Sequence, residues 1–249
     1  MSLAVYIKDP PTFLKPPVYP KRQTGDRFFY TFISTVGLLS IIFALWPYFA
    51  WQLTTASRLS AKINEFPIPK GEVLSASSTL AANVQVVKDP DGFSYFTTNY
   101  KPAALPAGRQ GSRPQEFLVT IPKLKIEKAK SKVDSLRYDT SLAHFPGSAL
   151  PGEVGNVFIT GHSVLPQFND PKNYRAIFTK LSDLEIGDDV YIDIAGQKLH
   201  YIVQYLKIVD PHDLSVLSPI SSTGRNLTLM TCVPPGTNLK RLVVITSLI

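Results

Sequence analysis

Residues Asn226–Ile245 read NLTLMTCVPPGTNLKRLVVI. Two runs in this stretch, Leu227–Thr231 and Leu242–Thr246, are β-branched and aliphatic, as strands are. Pro234, Pro235 and Gly236 interrupt them, and such residues punctuate a chain most strongly. The pattern predicts two paired strands and a connecting loop. Cys232, the one cysteine of the 249 residues, stands where the first strand ends, and Arg241 stands where the second begins. Pairing would bring thiol and guanidinium to the same rim, and a nearby positive charge favours the thiolate that acts as a nucleophile. The structural alternative makes Cys232 a small buried hydrophobe and Arg241 an ordinary edge charge.

Upstream of this pair the chain alternates like a small β protein. EFLVTIPKLKIEKAK, from Glu116, reads as one strand or two, and NVFITGHS (Asn156–Ser163) as a buried strand ending at Gly161–His162. DDVYIDIAGQKLHYIVQYLKIV reads as two alternating strands joined at Ala195–Gly196, a hairpin signal. Ser135–His144 and Asp213–Leu217 read as short turns or helices. Arg175–Leu184 carries Ile177, Phe178, Leu181 and Leu184 on one side, which predicts a helix of about three turns. Many short strands, few helices and frequent turns predict a mainly β fold, a closed antiparallel barrel over 116–249.

The chain has four histidines. His200 lies within a strand and reads as structural, His212 in a loop as solvated, and His144 as a hydrogen-bonding partner for a loop. His162 differs because it emerges from a buried strand after a glycine, at a rim. It is the candidate base for Cys232.

The net charge of +7 comes from scattered residues, with no basic run interleaved with aromatics, so nucleic acid is not an expected partner. One cysteine allows neither an internal disulfide nor a cysteine-built metal site, and no metal or cofactor is expected. Residues 1–27 are rich in proline and poor in apolar periodicity, which predicts a disordered tail. Phe28–Trp51, FFYTFISTVGLLSIIFALWPYFAW, is uncharged, with aromatic residues near both ends. That length suits a helix crossing a bilayer core of about 30 Å. Its apolar core exceeds that of a signal peptide and no small-residue cleavage site is clear, so an uncleaved anchor is expected. The basic flank precedes it, which predicts a cytoplasmic N-terminus and an extracellular domain after Trp51. Residues 52–115 read as a linker.

Together, TLMTC (Thr228–Cys232), Arg241 nine positions later and ITGHS with His162 resemble the active-site pattern of sortases, the membrane-anchored cysteine transpeptidases of bacterial surfaces. The resemblance runs over Glu116–Ile249 and includes IPKLKI, HFPGSALPGEVGN and IFTKLSDLEIGDDV. It implies an eight-stranded barrel in which Cys232 attacks the carbonyl of a sorting signal, typically of LPXTG type. It further implies that His162 serves the leaving and incoming amines, and that Arg241 holds the substrate carbonyl or the oxyanion. The implied partners are surface-protein or pilin substrates and an acceptor amine of the cell wall or of a pilin lysine. Thr231 is read as supporting the site and Gly161 as letting the chain turn sharply. Asp89–Pro90 followed by Asp91, Gly92 and Phe93 resembles the Asp-Pro-aromatic lid of pilin-polymerising sortases, and an ordinary surface turn is the alternative. Two other functions stay open: a different cell-surface cysteine peptidase or L,D-transpeptidase, and an anchored β-domain that only binds a partner.

Overall fold

The structure is a computed structural model and describes residues 24–56, 84–88, 94–99 and 113–249. The proposed lid turn, 89–93, and the tail before residue 24 lie outside the described residues. A helix, α1 (Thr24–Trp51), contains the apolar stretch. Phe28–Thr54 has a mean hydropathy of 2.1 and is long and apolar enough to cross a membrane.

Eight strands close into a barrel: β3 (Glu116–Ile121), β4 (Ile126–Lys132), β5 (Leu142–His144), β6 (Gly155–Thr160), β7 (Asp189–Ile194), β8 (Gln197–Val209), β9 (Arg225–Val233) and β10 (Lys240–Leu248). Their order around the barrel is β10-β8-β7-β3-β4-β5-β6-β9, with β9 pairing β10 to close it. Closure pairs each of the eight strands on both sides, so the barrel itself presents no open edge to another chain. The barrel is mixed and not antiparallel throughout: β4 pairs β5 and β6 pairs β9 in parallel. The short irregular segment 133–141 carries β4 to its parallel neighbour β5, whereas β6 reaches β9 only through the long connection that contains β7 and β8.

The alternating strands form as their sequence predicts. EFLVTIPKLKIEKAK is two strands, broken by a 3-10 turn at Pro122–Leu124. Ala195 (φ 47°) and Gly196 (φ 80°) both take left-handed backbone between β7 and β8, the geometry of a two-residue hairpin turn. The segment before β5 is irregular, and His144 ends that strand. Leu214–Leu217 is one 3-10 turn, capped by Asp213, whose side chain accepts from the Ser215 amide.

The helix expected at Arg175–Leu184 does not form; among the described residues the segment holds turns and a 3-10 turn at Leu181–Asp183. Its apolar side chains are buried all the same. The backbone is diverted: the Phe178 amide donates to His162 O (3.0 Å), while Thr179 and Leu181 bond carbonyls three residues back.

Period two sorts the strands' side chains. Leu227, Leu229 and Val233 of β9, Val157 and Ile159 of β6, and Leu242 and Val244 of β10 fill the barrel interior. The alternate residues Phe158, Met230, Val243 and Ile245 form a second apolar cluster on the outer face. That face is covered from two directions. Val216 and Leu217 come from the β8–β9 connection, and Val84 and Phe96 come from a hairpin, β1 (Val84–Lys88) and β2 (Ser94–Thr98). The hairpin lies within the segment expected to be a linker. Its signal was present as VQVVK and SYFTT around Asp91–Gly92, since Asp-Gly between β-branched runs is a hairpin cue.

Candidate active site

Cys232 is directly opposite Arg241 in the β9–β10 ladder. Opposed residues point to the same face, and here it is the outer one. His162 arrives from β6, the other neighbour of β9, two residues beyond the Thr160–Met230 pair. Residues on either side of the histidine are stitched to β9. The Gly161 amide donates to Met230 O (3.2 Å), and Thr231 Oγ1 donates to Gly161 O (2.8 Å). Ser163 Oγ donates to Cys232 O (2.7 Å). Thr231 is thus a buried tie between the strands.

Gly161 has no left-handed φ, so it is not a conformational hinge. Its place is decided by space: a Cβ there would stand 2.6 Å from the Phe178 ring and 2.9 Å from a Leu142 methyl. Both lie below any ordinary contact, so a larger residue would push the chain before His162 off its seat.

His162, Cys232 and Arg241 line one pocket together with Thr160, Gly161 and Thr231. Phe96, Leu136, Tyr138, Phe145 and Met230 form the rest of its wall. Tyr138 lies against the imidazole, with ring centroids 4.2 Å apart. None of these five was singled out from sequence. Met230 and Phe145 follow from strand parity once the nucleophile is placed, but no local pattern joins Phe96 or Tyr138 to the site.

Burial pushes the Cys232 thiol above its ordinary value, with the Arg241 charge pulling partly against it. Burial also lowers His162, helped by the Arg175 charge and opposed by Asp139. Near neutral pH both groups are therefore mainly uncharged at rest. Arg241 is 3% exposed, and its Nη1 donates to Asn238 O and Lys240 O, each at 3.1 Å. These two carbonyls help to orient the guanidinium.

The other histidines do not join them. His144 is sealed in the barrel wall, where its Nε2 meets Ala149 O at 2.9 Å and its Nδ1 accepts from the Asp134 amide at 3.3 Å. His200 meets Asp189 at 2.6 Å and stacks on Tyr191. His212 and Lys240 together hold the exposed Asp210 carboxyl down at about 2. Among the described residues no group of three His, Cys, Asp or Glu side chains could hold a metal ion.

A family model described as Sortase domain matches residues 119–249, more than half of the chain. Sortase A of Staphylococcus aureus (strain NCTC 8325 / PS 47) is 27% identical over 161 residues, covering 58% of this chain and 72% of that protein. Among solved structures, Sortase A from Corynebacterium diphtheriae is 30% identical with a TM-score of 0.47, covering 56% of this chain and 63% of that one. Sortase C-1 from Actinomyces oris is 27% identical with a TM-score of 0.46, covering 53% and 73%.

Proposed function

The chain belongs to the sortase family of cysteine transpeptidases, and we propose that Cys232 is its nucleophile, His162 its proton carrier and Arg241 its oxyanion holder. The observation that carries this assignment is the single pocket lined by all three side chains, with cysteine and arginine opposed in one ladder. Because thiol and imidazole are both uncharged at rest, reaction begins when His162 takes the thiol proton, and the thiolate then has the Arg241 charge beside it. Sγ attacks the scissile carbonyl carbon, the S–C bond forms, and the carbonyl oxygen becomes an oxyanion facing the guanidinium. Collapse breaks the C–N bond, and His162 delivers its proton to the departing amine. An incoming amine attacks the thioester, gives its proton back through His162, and releases the thiol. The substrates in this reading are surface proteins or pilins with an LPXTG-like sorting signal. The acceptor is an amine of the cell wall or a pilin lysine.

The proposed organisation has 116–249 as catalytic domain and 52–115 as connecting segment, joined to a membrane span at 28–51. With the basic residues of 1–27 on the cytoplasmic side, the catalytic domain faces outward.

One set of measurements tests both parts. Wild-type protein incubated with an LPXTG-type peptide should accumulate a thioacyl adduct on Cys232, absent from Cys232→Ala. Arg241→Ala should lose about 10²–10³-fold in rate, as expected for one oxyanion donor. Because Cys232 is the only thiol, a membrane-impermeant maleimide should label the wild type on intact protoplasts as fully as after permeabilisation. Turnover by Cys232→Ala would overturn the chemistry, and labelling that requires permeabilisation would overturn the orientation.

A further inference from the structure

We propose that Tyr138 is a positioning residue of this site: its ring braces the His162 imidazole and favours the imidazolium through which both proton transfers pass. This rests on His162 being the proton carrier of Cys232.

A catalytic base needs a further group that holds it at the right angle to the nucleophile. For His162 the backbone supplies only half of that. The stitching of Gly161 and Ser163 to β9 fixes the main chain on both sides of the histidine, but the side chain can still turn about its own bonds. No described residue hydrogen-bonds the ring nitrogens. What touches the imidazole is the Tyr138 ring, with centroids 4.2 Å apart and planes inclined at 48°.

Tyr138 is itself held. It lies in the segment between β4 and β5, where the Ser135 amide donates to His144 O at 2.9 Å and Ser135 Oγ accepts from the Arg137 amide at 3.1 Å. Leu136 packs against the outer apolar cluster, and Tyr138, two residues on, lines the pocket. A ring anchored in this way limits how far the imidazole can swing.

The second effect is on charge. His162 becomes an imidazolium twice in each cycle, once on taking the Cys232 proton and once on taking a proton from the incoming amine. At 4.2 Å it lies within the range over which a cation is drawn to the face of a tyrosine ring. Burial disfavours the imidazolium most, Arg175 on the β6–β7 connection disfavours it further, and Asp139, beside Tyr138, favours it. Arg241 of β10 lines the same pocket, and its charge acts on Cys232. An aromatic face offsets the burial of His162 without placing a carboxylate in contact with the imidazole, where it would also oppose the thiolate and the oxyanion.

The test uses the full chain in detergent micelles and follows the rate of Cys232 alkylation by chloroacetamide against pH. This small neutral agent needs the thiol and its base but no peptide subsite. In Tyr138→Leu the acid limb should move to lower pH by about half a pH unit, and the plateau above it should fall about three- to tenfold, both from a less favoured imidazolium. Tyr138→Phe, which keeps the face and loses the hydroxyl, should restore limb and plateau. With an LPXTG-type peptide, Tyr138→Leu should lower kcat and leave KM within about twofold. A limb that stays in place would overturn the proposal, and so would one that moves to higher pH, the sign of a ring that only excludes water. A raised KM at unchanged kcat would overturn it as well, leaving Tyr138 as a wall of the pocket. His162→Ala should abolish the limb. A limb that survives that change would strike the assignment of His162 itself, and the role of Tyr138 with it.

Discussion

His144 and His162 stand at the ends of adjacent strands, β5 and β6, and have opposite lives. His144 is wholly buried, with Nε2 within hydrogen-bond reach of Ala149 O and Ser148 Oγ, Nδ1 accepting from Asp134, and Phe117 edge-on to the ring. His162 has one face against Tyr138 and opens onto the pocket, and no described residue hydrogen-bonds its ring nitrogens. Burial lowers the basicity of both. Low basicity is thus no mark of catalysis here. The difference lies in whether the ring nitrogens are already committed. A histidine with both nitrogens bonded to the fold holds the fold together, whereas one whose nitrogens remain available can move a proton.

The sharpest way to break this comparison is to remove each ring. His162→Ala should cost roughly 10²–10⁴-fold in kcat/KM, the range for a lost general acid–base, with little change in Tm. His144→Ala should leave the half-buried Asp134 amide and Ala149 carbonyl without their ring partner, a loss of about 2–4 kcal/mol and several degrees in Tm. Its activity per folded molecule should stay near the wild-type value. Comparable catalytic losses in the two folded variants would erase the distinction.

Next in size is pH, which should read the two rings in different observables. The His162 and Cys232 shifts predict a bell-shaped kcat/KM whose acid limb lies below 6.5 and whose basic limb lies above 9.0. For His144 the folded protein binds the proton less readily than the unfolded chain, whose value is 6.5. Its contribution to stability is therefore fully present above 6.5 and is lost as pH falls toward its lowered folded value. Denaturant unfolding across that window should show the slope in wild type and a flatter one in His144→Ala. Identical slopes would remove His144 as the source.

The smallest effect should come from Thr231→Val, which keeps the shape and deletes the hydrogen bond to Gly161 O. The unpaired buried carbonyl costs about 1–3 kcal/mol. A seat loosened beside His162 should lower kcat/KM by less than about tenfold without moving either pH limb. A shifted acid limb would mean that Thr231 acts on the His162 proton and not merely on its position.

Local pattern carried the alternating strands, the Ala195–Gly196 turn and the meeting of Cys232 with Arg241, because period two and turn chemistry are properties of neighbours along the chain. The span of apolar residues in α1 was legible for the same reason. Arg175–Leu184 marks where that logic stops. Its spacing correctly placed Ile177, Phe178, Leu181 and Leu184 in the interior, yet the helix gave way because the Phe178 amide bonds His162 O. Only tertiary structure decided the parallel β4–β5 and β6–β9 pairings, the stitching of Gly161 and Ser163 to β9, and the placing of Phe96 in the pocket wall. Each joins residues distant along the chain, and such pairing depends on closure of the whole barrel, which no short window of sequence encodes.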